Sequence, residues 1–373
     1  MRELTKRLSQ QLPSKYISWL ILISVAAILL IFPAGNFASI APIAAVRPTP
    51  TPAKKADLSG ANKPAAKPAP APAGEMQKVI VNTTAARVRR DASTASPELR
   101  RMKLGTVLSV LEKSAGPAPW YKVQLPPGSK IPTGWMSSTV ASSFDQTKAE
   151  PIYRQITTKN FKKTGMSFAD SAEVYEFLSG VLADIKSSEI AAELGFKRLQ
   201  ALTVALAAIP IMKSEEKPYK DFAAAHDNEI VYSDPAGQWF VRADLFWDLR
   251  KKHSKSTLAD EMAWAAARTN LPGECEGYVN CYLYLMRQTD GEYLALHPNG
   301  KHSPEALKNI TSYLQPIVAD IKEKKVYTGP SDLSDRAEYN RLLAELRNVI
   351  SRLPLVDKDK PLRQINQLAE AYK

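Results

Sequence analysis

Residues 120–128 read Trp-Tyr-Lys-Val-Gln-Leu-Pro-Pro-Gly, a short aromatic and β-branched run stopped by turn residues. That composition predicts a strand over residues 121–125 ending in a turn. Neighbours in a strand face opposite sides, so Trp120 and Tyr121 cannot both enter a core. One is expected inside, and the other at the surface beside Trp135. Working outward, runs of similar character occupy residues 79–82, 86–89, 107–111 and 134–136. Gly105, Gly116-Pro117 and Pro126-Pro127-Gly128 punctuate them. Short strands at this spacing predict a small all-β barrel over residues 76–145.

The order of residues supports a family resemblance. Ala86-Arg87-Val88-Arg89, Gly105-Thr106-Val107-Leu108, Trp120-Tyr121-Lys122-Val123 and Gly134-Trp135-Met136 follow one another. In that order they resemble the bacterial SH3-like (SH3b) family. The segment departs from the family pattern at Arg87, where an Asn is usual, at Asp91-Ala92, where Gly-Pro is usual, and in a longer loop at 126–133. The resemblance implies a binding module for peptide or cell wall, often beside a catalytic domain and without chemistry of its own. Aromatic faces near arginines can stack on a ligand and pair with its carboxylates. Arg87, Arg89, Trp120, Tyr121 and Trp135 are therefore the candidate ligand-binding residues, with Arg90 nearby. The plainer reading is that Trp120 and Trp135 only close the barrel while the arginines form a solvated face.

Charge is unevenly placed. Residues 1–75 hold 9 basic and 3 acidic side chains, residues 76–145 hold 10 and 4, and residues 146–373 hold 31 of each. The net charge of +12 is thus divided between the N-terminal region and one small module, a distribution that argues against nucleic acid as a partner. With 45% apolar and 24% charged residues, the chain is neither a disordered polyelectrolyte nor a collagen-like fibre.

Arg2, Lys6, Arg7 and Lys15 precede an apolar run at residues 16–32, which continues as a mostly apolar segment to residue 46. A helix of that run would span about 25 Å, at the short end of what crosses a bilayer. No clean small-x-small cleavage site follows, so residues 16–46 are expected to be a retained transmembrane signal anchor. Residues 1–15 then form a cytoplasmic basic flank, and the bulk of the chain lies outside the bacterial inner membrane in a single-pass topology. Residues 47–75 are rich in Pro, Ala and Lys and lack aromatics, as expected of a disordered linker that lets the next domain reach the wall.

Beyond residue 146 helical spacing dominates. Ser167-Phe168-Ala169-Asp170 reads as a helix start, and Ser303-Pro304-Glu305 as another. Residues 228–241, with Asp234-Pro235-Ala236-Gly237 between two apolar triplets, predict a hairpin or extended loop. Helices are expected at 245–252, 257–268, 278–288, 334–352 and 359–372. Residues around 249–262 and 294–307 echo each other at a 45-residue offset. This stretch, about 245–315, weakly resembles the helix pairs of tetratricopeptide-type envelope proteins. The predicted architecture is therefore multidomain, a barrel at 76–145 followed by a mainly α-helical domain with helix-pair packing at 146–373.

Cys275 and Cys281 are the two cysteines of the chain. On one continuous helix that spacing would point the thiols apart, but Gly273 and Gly277 make a non-helical Cys275 reasonable. In an exported protein the pair reads as a disulfide tying a loop to the first turn of the next helix. His226, His253, His297 and His302 carry no peptidase or zinc signature, and no P-loop, GxGxxG or GxSxG occurs. No catalytic residue, metal or cofactor is expected. Two readings remain. The first is a membrane-anchored, exported binding or scaffold protein whose barrel engages cell-wall peptide or an envelope protein. Its rival is a peptidoglycan hydrolase, with the barrel targeting a divergent helical catalytic domain.

Overall fold

Seven antiparallel strands build the first part of the chain: β1 (Lys78–Val81), β2 (Ala86–Arg89), β3 (Glu98–Met102), β4 (Val107–Lys113), β5 (Trp120–Gln124), β6 (Thr133–Ser137) and β7 (Ala141–Phe144). A computed structural model describes residues 77–129 and 131–372. The strand order is β3-β2-β6-β5-β4-β1-β7. Alternation sends Val88, Tyr121, Val123 and Met136 into the barrel interior with Val79, Val81 and Leu108. The question left open at Trp120-Tyr121 is thereby settled, with Tyr121 inside and Trp120 facing out, half-buried.

Two of the glycines in the barrel motifs have packing reasons. A Cβ on Gly134 would collide with Val88 and sit 3.1 Å from the Arg89 carbonyl, because β6 passes close to β2. Gly105 turns at φ +80° with the ring of Phe177 against it, where a side chain would find neither the backbone conformation nor the space.

Eleven helices follow among the described residues. The first five are α1 (Ala149–Phe161), α2 (Phe168–Val181), α3 (Ser188–Ala207), α4 (Tyr219–Ala225) and α5 (Ala243–Lys252). Ser167 and Ser187 cap α2 and α3 by accepting from backbone N–H groups three residues on. Between α4 and α5 a hairpin, β8 (Ile230–Ser233) and β9 (Gln238–Val241), fills the interval where alternation replaced helical spacing. The remaining helices are α6 (Ala259–Arg268), α7 (Val279–Met286), α8 (Glu292–Leu296), α9 (Ser303–Asp320), α10 (Leu333–Ser351) and α11 (Asp359–Ala371). A π-helical turn, Arg287–Gly291, joins α7 to α8.

Barrel and helices share a wall. Val79 and Val81 of β1 face the barrel interior, while Ile80 between them enters a helical core with Leu104, Phe144, Tyr153, Val174 and Phe177. Polar groups finish the seam. Asn160 Nδ2 donates to the Asn82 carbonyl at 3.1 Å, Lys159 Nζ donates to Asn82 Oδ1 at 2.6 Å, and Lys163 Nζ reaches Thr83 and Thr84. Glu173 accepts from the Leu104 N–H at 2.5 Å. Burial pushes Glu173 above the usual carboxylate range and Lys159 and Lys163 below the usual lysine range. These contacts come from β1, the turns at 82–85 and 138–140, and the β3–β4 turn. The outward face of β2, β6 and β5 is left clear of them.

The second helical core, α6 to α11, centres on Leu283, Tyr293, Ile310, Tyr339 and Leu346. The two echoing segments come together here as neighbouring helix pairs. Asp260 in α6 accepts from Tyr293 Oη of α8 and, at 2.8 Å, from the Lys301 N–H in the turn before α9. The His302 ring stacks on Trp264 at 4.6 Å between centroids, 3° from parallel.

Cys275 and Cys281 form a disulfide with Cα atoms 5.4 Å apart. Cys275 lies in the loop and Cys281 in the first turn of α7, the loop-to-helix tie expected from the sequence. The same loop is held from its other side, where Val279 N–H donates to the Thr328 carbonyl and Thr328 N–H to the Gly277 carbonyl, both at 2.9 Å. Closing so short a loop stabilises by about 2 kcal/mol in the chain-entropy account. The Cys275→Ser, Cys281→Ser variant should lose that amount in a urea titration, and an unchanged midpoint would show that the Thr328 clamp alone holds the loop.

The transmembrane segment expected at 16–46, the basic flank at 1–15 and the linker at 47–75 lie outside the described residues. Among the described residues no helix is long and apolar enough to cross a membrane.

Candidate functional site

Period-two alternation sets the outward face of the barrel. On β2 it presents Arg87 and Arg89, on β6 Trp135, and on β5 Trp120 and Lys122. Register then decides the neighbours. Trp135 stands opposite Arg89 on one side and Lys122 on the other, so the indole lies between two cations. Lys122 Nζ is 5.9 Å from the Trp135 ring centroid, at the outer range of a cation–π contact.

Existing partners hold the cations in place. The Glu98 carboxylate of β3 is shared by Arg87 Nε at 3.2 Å and Arg101 Nε at 3.1 Å. Glu112 of β4 pairs with Lys122 at 3.4 Å. Arg89 Nη1 donates to the Ser96 carbonyl at 2.6 Å, which anchors that side chain at its tip. Four cations (Arg87, Arg89, Arg101, Lys122) thus face two carboxylates (Glu98, Glu112), leaving a positive excess around two half-exposed indoles. Exposed pairs of this kind exchange at small cost, so an incoming carboxylate can replace Glu98 or Glu112. The arrangement suits an extended ligand carrying carboxylates and a stackable face.

Four of the five candidate residues, Arg87, Arg89, Trp120 and Trp135, share this face. Tyr121 does not, because the odd positions of β5 point inward and its ring belongs to the barrel core. Lys122, Arg101, Glu98 and Glu112 were not singled out from the sequence. Lys122 was accessible to the same alternation that placed Trp120. Glu98 and Arg101 lie on a strand whose charged sequence hides it.

In the helical part, both cysteines are consumed by the disulfide, so neither thiol is available as a nucleophile. His226 packs edge-on against Tyr175 at 4.9 Å, and His297 accepts from Arg250 Nε at 3.2 Å. Burial pushes His226, His253 and His297 below the ordinary histidine value, which keeps them neutral at pH 7. Arg198 and Tyr175 both donate to Glu229, at 2.6 and 2.7 Å, as a half-buried knot between α2, α3 and the start of the hairpin. Burial pushes the Tyr175 hydroxyl up to about 12. Among the described residues no group of three His, Cys, Asp or Glu side chains is placed to hold a metal ion.

Residues 84–141 match the bacterial SH3 domain family. No curated protein matches the chain.

Proposed function

We propose that the chain is a membrane-anchored, exported binding and scaffold protein of the bacterial cell envelope. Its barrel engages a carboxylate-bearing cell-wall peptide, or a partner protein of like chemistry, and it acts by binding rather than by catalysis. The observation that carries this reading is Trp135 set between Arg89 and Lys122, with Trp120 and Arg87 on the same outward face. The opposite wall of the barrel packs on α1 and α2, which leaves this face directed away from the helices. Bacterial SH3 domains commonly bind the cell wall, which agrees with the chemistry of the face.

The envelope location is supported by the basic flank, the apolar run at 16–46 and the disulfide, a bond that persists in oxidising compartments. Alkaline phosphatase fused after residue 75 should be active, and the full chain should remain with membranes after a carbonate wash. An inactive fusion would remove the envelope from this reading, and a soluble exported product would remove the anchor.

A further inference from the structure

A small cleft lies at the end of α6, remote in sequence from the barrel. Its volume is about 270 Å³, and Leu271, Tyr282, Leu285 and Met286 supply apolar wall. Drug-sized ligands occupy roughly 300–1,000 Å³, so this space suits one or two residues of a peptide. Its polar end is built from Arg268 and Asp290. Asp290 is only 1% exposed and ion-pairs with Arg268. Asn309 Nδ2 adds a hydrogen bond to the same carboxylate oxygen at 3.3 Å.

Three features hold that end in place. The π-helical turn Arg287–Gly291 carries Asp290 inward, a backbone form that recurs at functional sites. Gly291 makes the turn possible, since a Cβ there would lie 2.9 Å from the Met286 carbonyl and 3.2 Å from Leu346. The guanidinium of Arg268 lies over the Trp264 ring, 4.6 Å from its centroid, a cation–π contact that restrains it together with the Asp290 ion pair. Its bond to Asp290 uses Nη2, which carries two of the five N–H donors, and the side chain, which lines the cleft, is 35% exposed. An immobilised guanidinium with donors to spare, beside an apolar wall, is complementary to a carboxylate attached to an aliphatic group.

We propose that this cleft binds the carboxyl terminus of a short peptide ending in an aliphatic residue. The terminal carboxylate meets the unpaired edge of Arg268, and the last side chain lies against Leu285 and Met286. Tyr313, 56% exposed, forms the rim. The site goes beyond the barrel reading and does not depend on it.

Saturation-transfer NMR on the full chain, with N-acetyl-Ala-Leu as the probe, tests the proposal. The free acid should bind in the millimolar range and its C-terminal amide about tenfold more weakly, because the charge-assisted bonds are lost. Tyr313→Ala should weaken acid binding several-fold with melting unchanged. The neutral pair Arg268→Gln, Asp290→Asn leaves no charge stranded and should abolish the preference for acid over amide. Arg87→Ala with Arg89→Ala should leave this binding intact. The proposal is overturned if acid and amide bind equally, if the acid shows no binding at about 10 mM, if Tyr313→Ala has no effect, or if the barrel variant loses the signal.

Discussion

Arg268→Ala should lower the free energy of unfolding by about 2–3 kcal/mol, less than for a fully buried pair because Arg268 itself is 35% exposed while Asp290 is buried. Asp290 is almost wholly buried, and Arg268 is its cationic partner, so removing the guanidinium leaves the carboxylate with Asn309 alone. The loss should also depend on pH in a defined direction. Burial already outweighs Arg268 and Asn309 and holds the Asp290 carboxyl above its ordinary value of 3.8. A folded-state value above the unfolded one means that the folded chain takes up the proton more readily. This group's contribution therefore becomes less favourable as pH rises from the ordinary value through the raised one. Without Arg268 the opposing pull disappears and the value rises further. The deficit should be largest where Asp290 is ionised and shrink as pH falls toward the ordinary carboxylate range and the carboxyl takes up its proton. Urea titrations of both proteins across that range measure it. A deficit below about 1 kcal/mol, or one that does not change with pH, would show that the pair does not hold the π turn. Replacing both partners, as Arg268→Gln with Asp290→Asn, should restore most of the loss, since buried pairs exchange for neutral ones at low cost.

The strands legible in the sequence are those with an inward apolar set. Residues 79–82, 86–89, 107–111, 121–125 and 134–136 all fall on β1, β2, β4, β5 and β6 or within a residue of them. Glu98–Met102 and Ala141–Phe144 escaped notice, and they are the two ends of the strand order. An edge strand has one hydrogen-bonded neighbour and little interior to fill, so Glu-Leu-Arg-Arg-Met and Ala-Ser-Ser-Phe can pair with almost no apolar alternation. The helices at 245–252, 257–268, 334–352 and 359–372 were readable from their apolar spacing, although only the third of them is capped by a side chain, Asp332. The helix expected at 278–288 in fact passes through the π turn and ends at Leu296, since a π turn has no distinct residue pattern and shifts the facing side chains by one.

The shared wall was equally hidden. Nothing in Lys-Val-Ile-Val announces that Ile80 belongs to a different core from Val79 and Val81, because a strand buried on both faces shows no alternation. The seam matters for experiment. Cutting the chain after residue 145 would expose Ile80, Leu104 and Phe144, which pack on α1 and α2, so the binding face is best studied in the full chain. Of the candidate site, alternation alone placed Arg87 and Arg89 together. Which of Trp120 and Tyr121 joined them required knowing which face of β5 looks inward, and that depends on partners far along the chain.

Arg87→Ala with Arg89→Ala should reduce association with the wall about tenfold or more, since charge-assisted contacts contribute roughly 1.5–3 kcal/mol each. The fold should persist. The Arg87–Glu98 pair is an exposed bridge that contributes at most about 1 kcal/mol, and the interior of β2, Ala86 and Val88, is untouched. Added salt should mimic the substitution in the wild type, because exposed charges are screened within about 10 Å at 0.1 M. Circular dichroism should remain unchanged throughout.

The most direct measurement of the central claim is co-sedimentation of the full chain with insoluble peptidoglycan, wild type beside the Arg87→Ala, Arg89→Ala variant, at low and at high salt. The wild type should pellet at low salt and be released as salt rises, while the variant stays in the supernatant at both. If wild type and variant pellet alike, or neither pellets at any salt, the outward face of the barrel does not bind the wall.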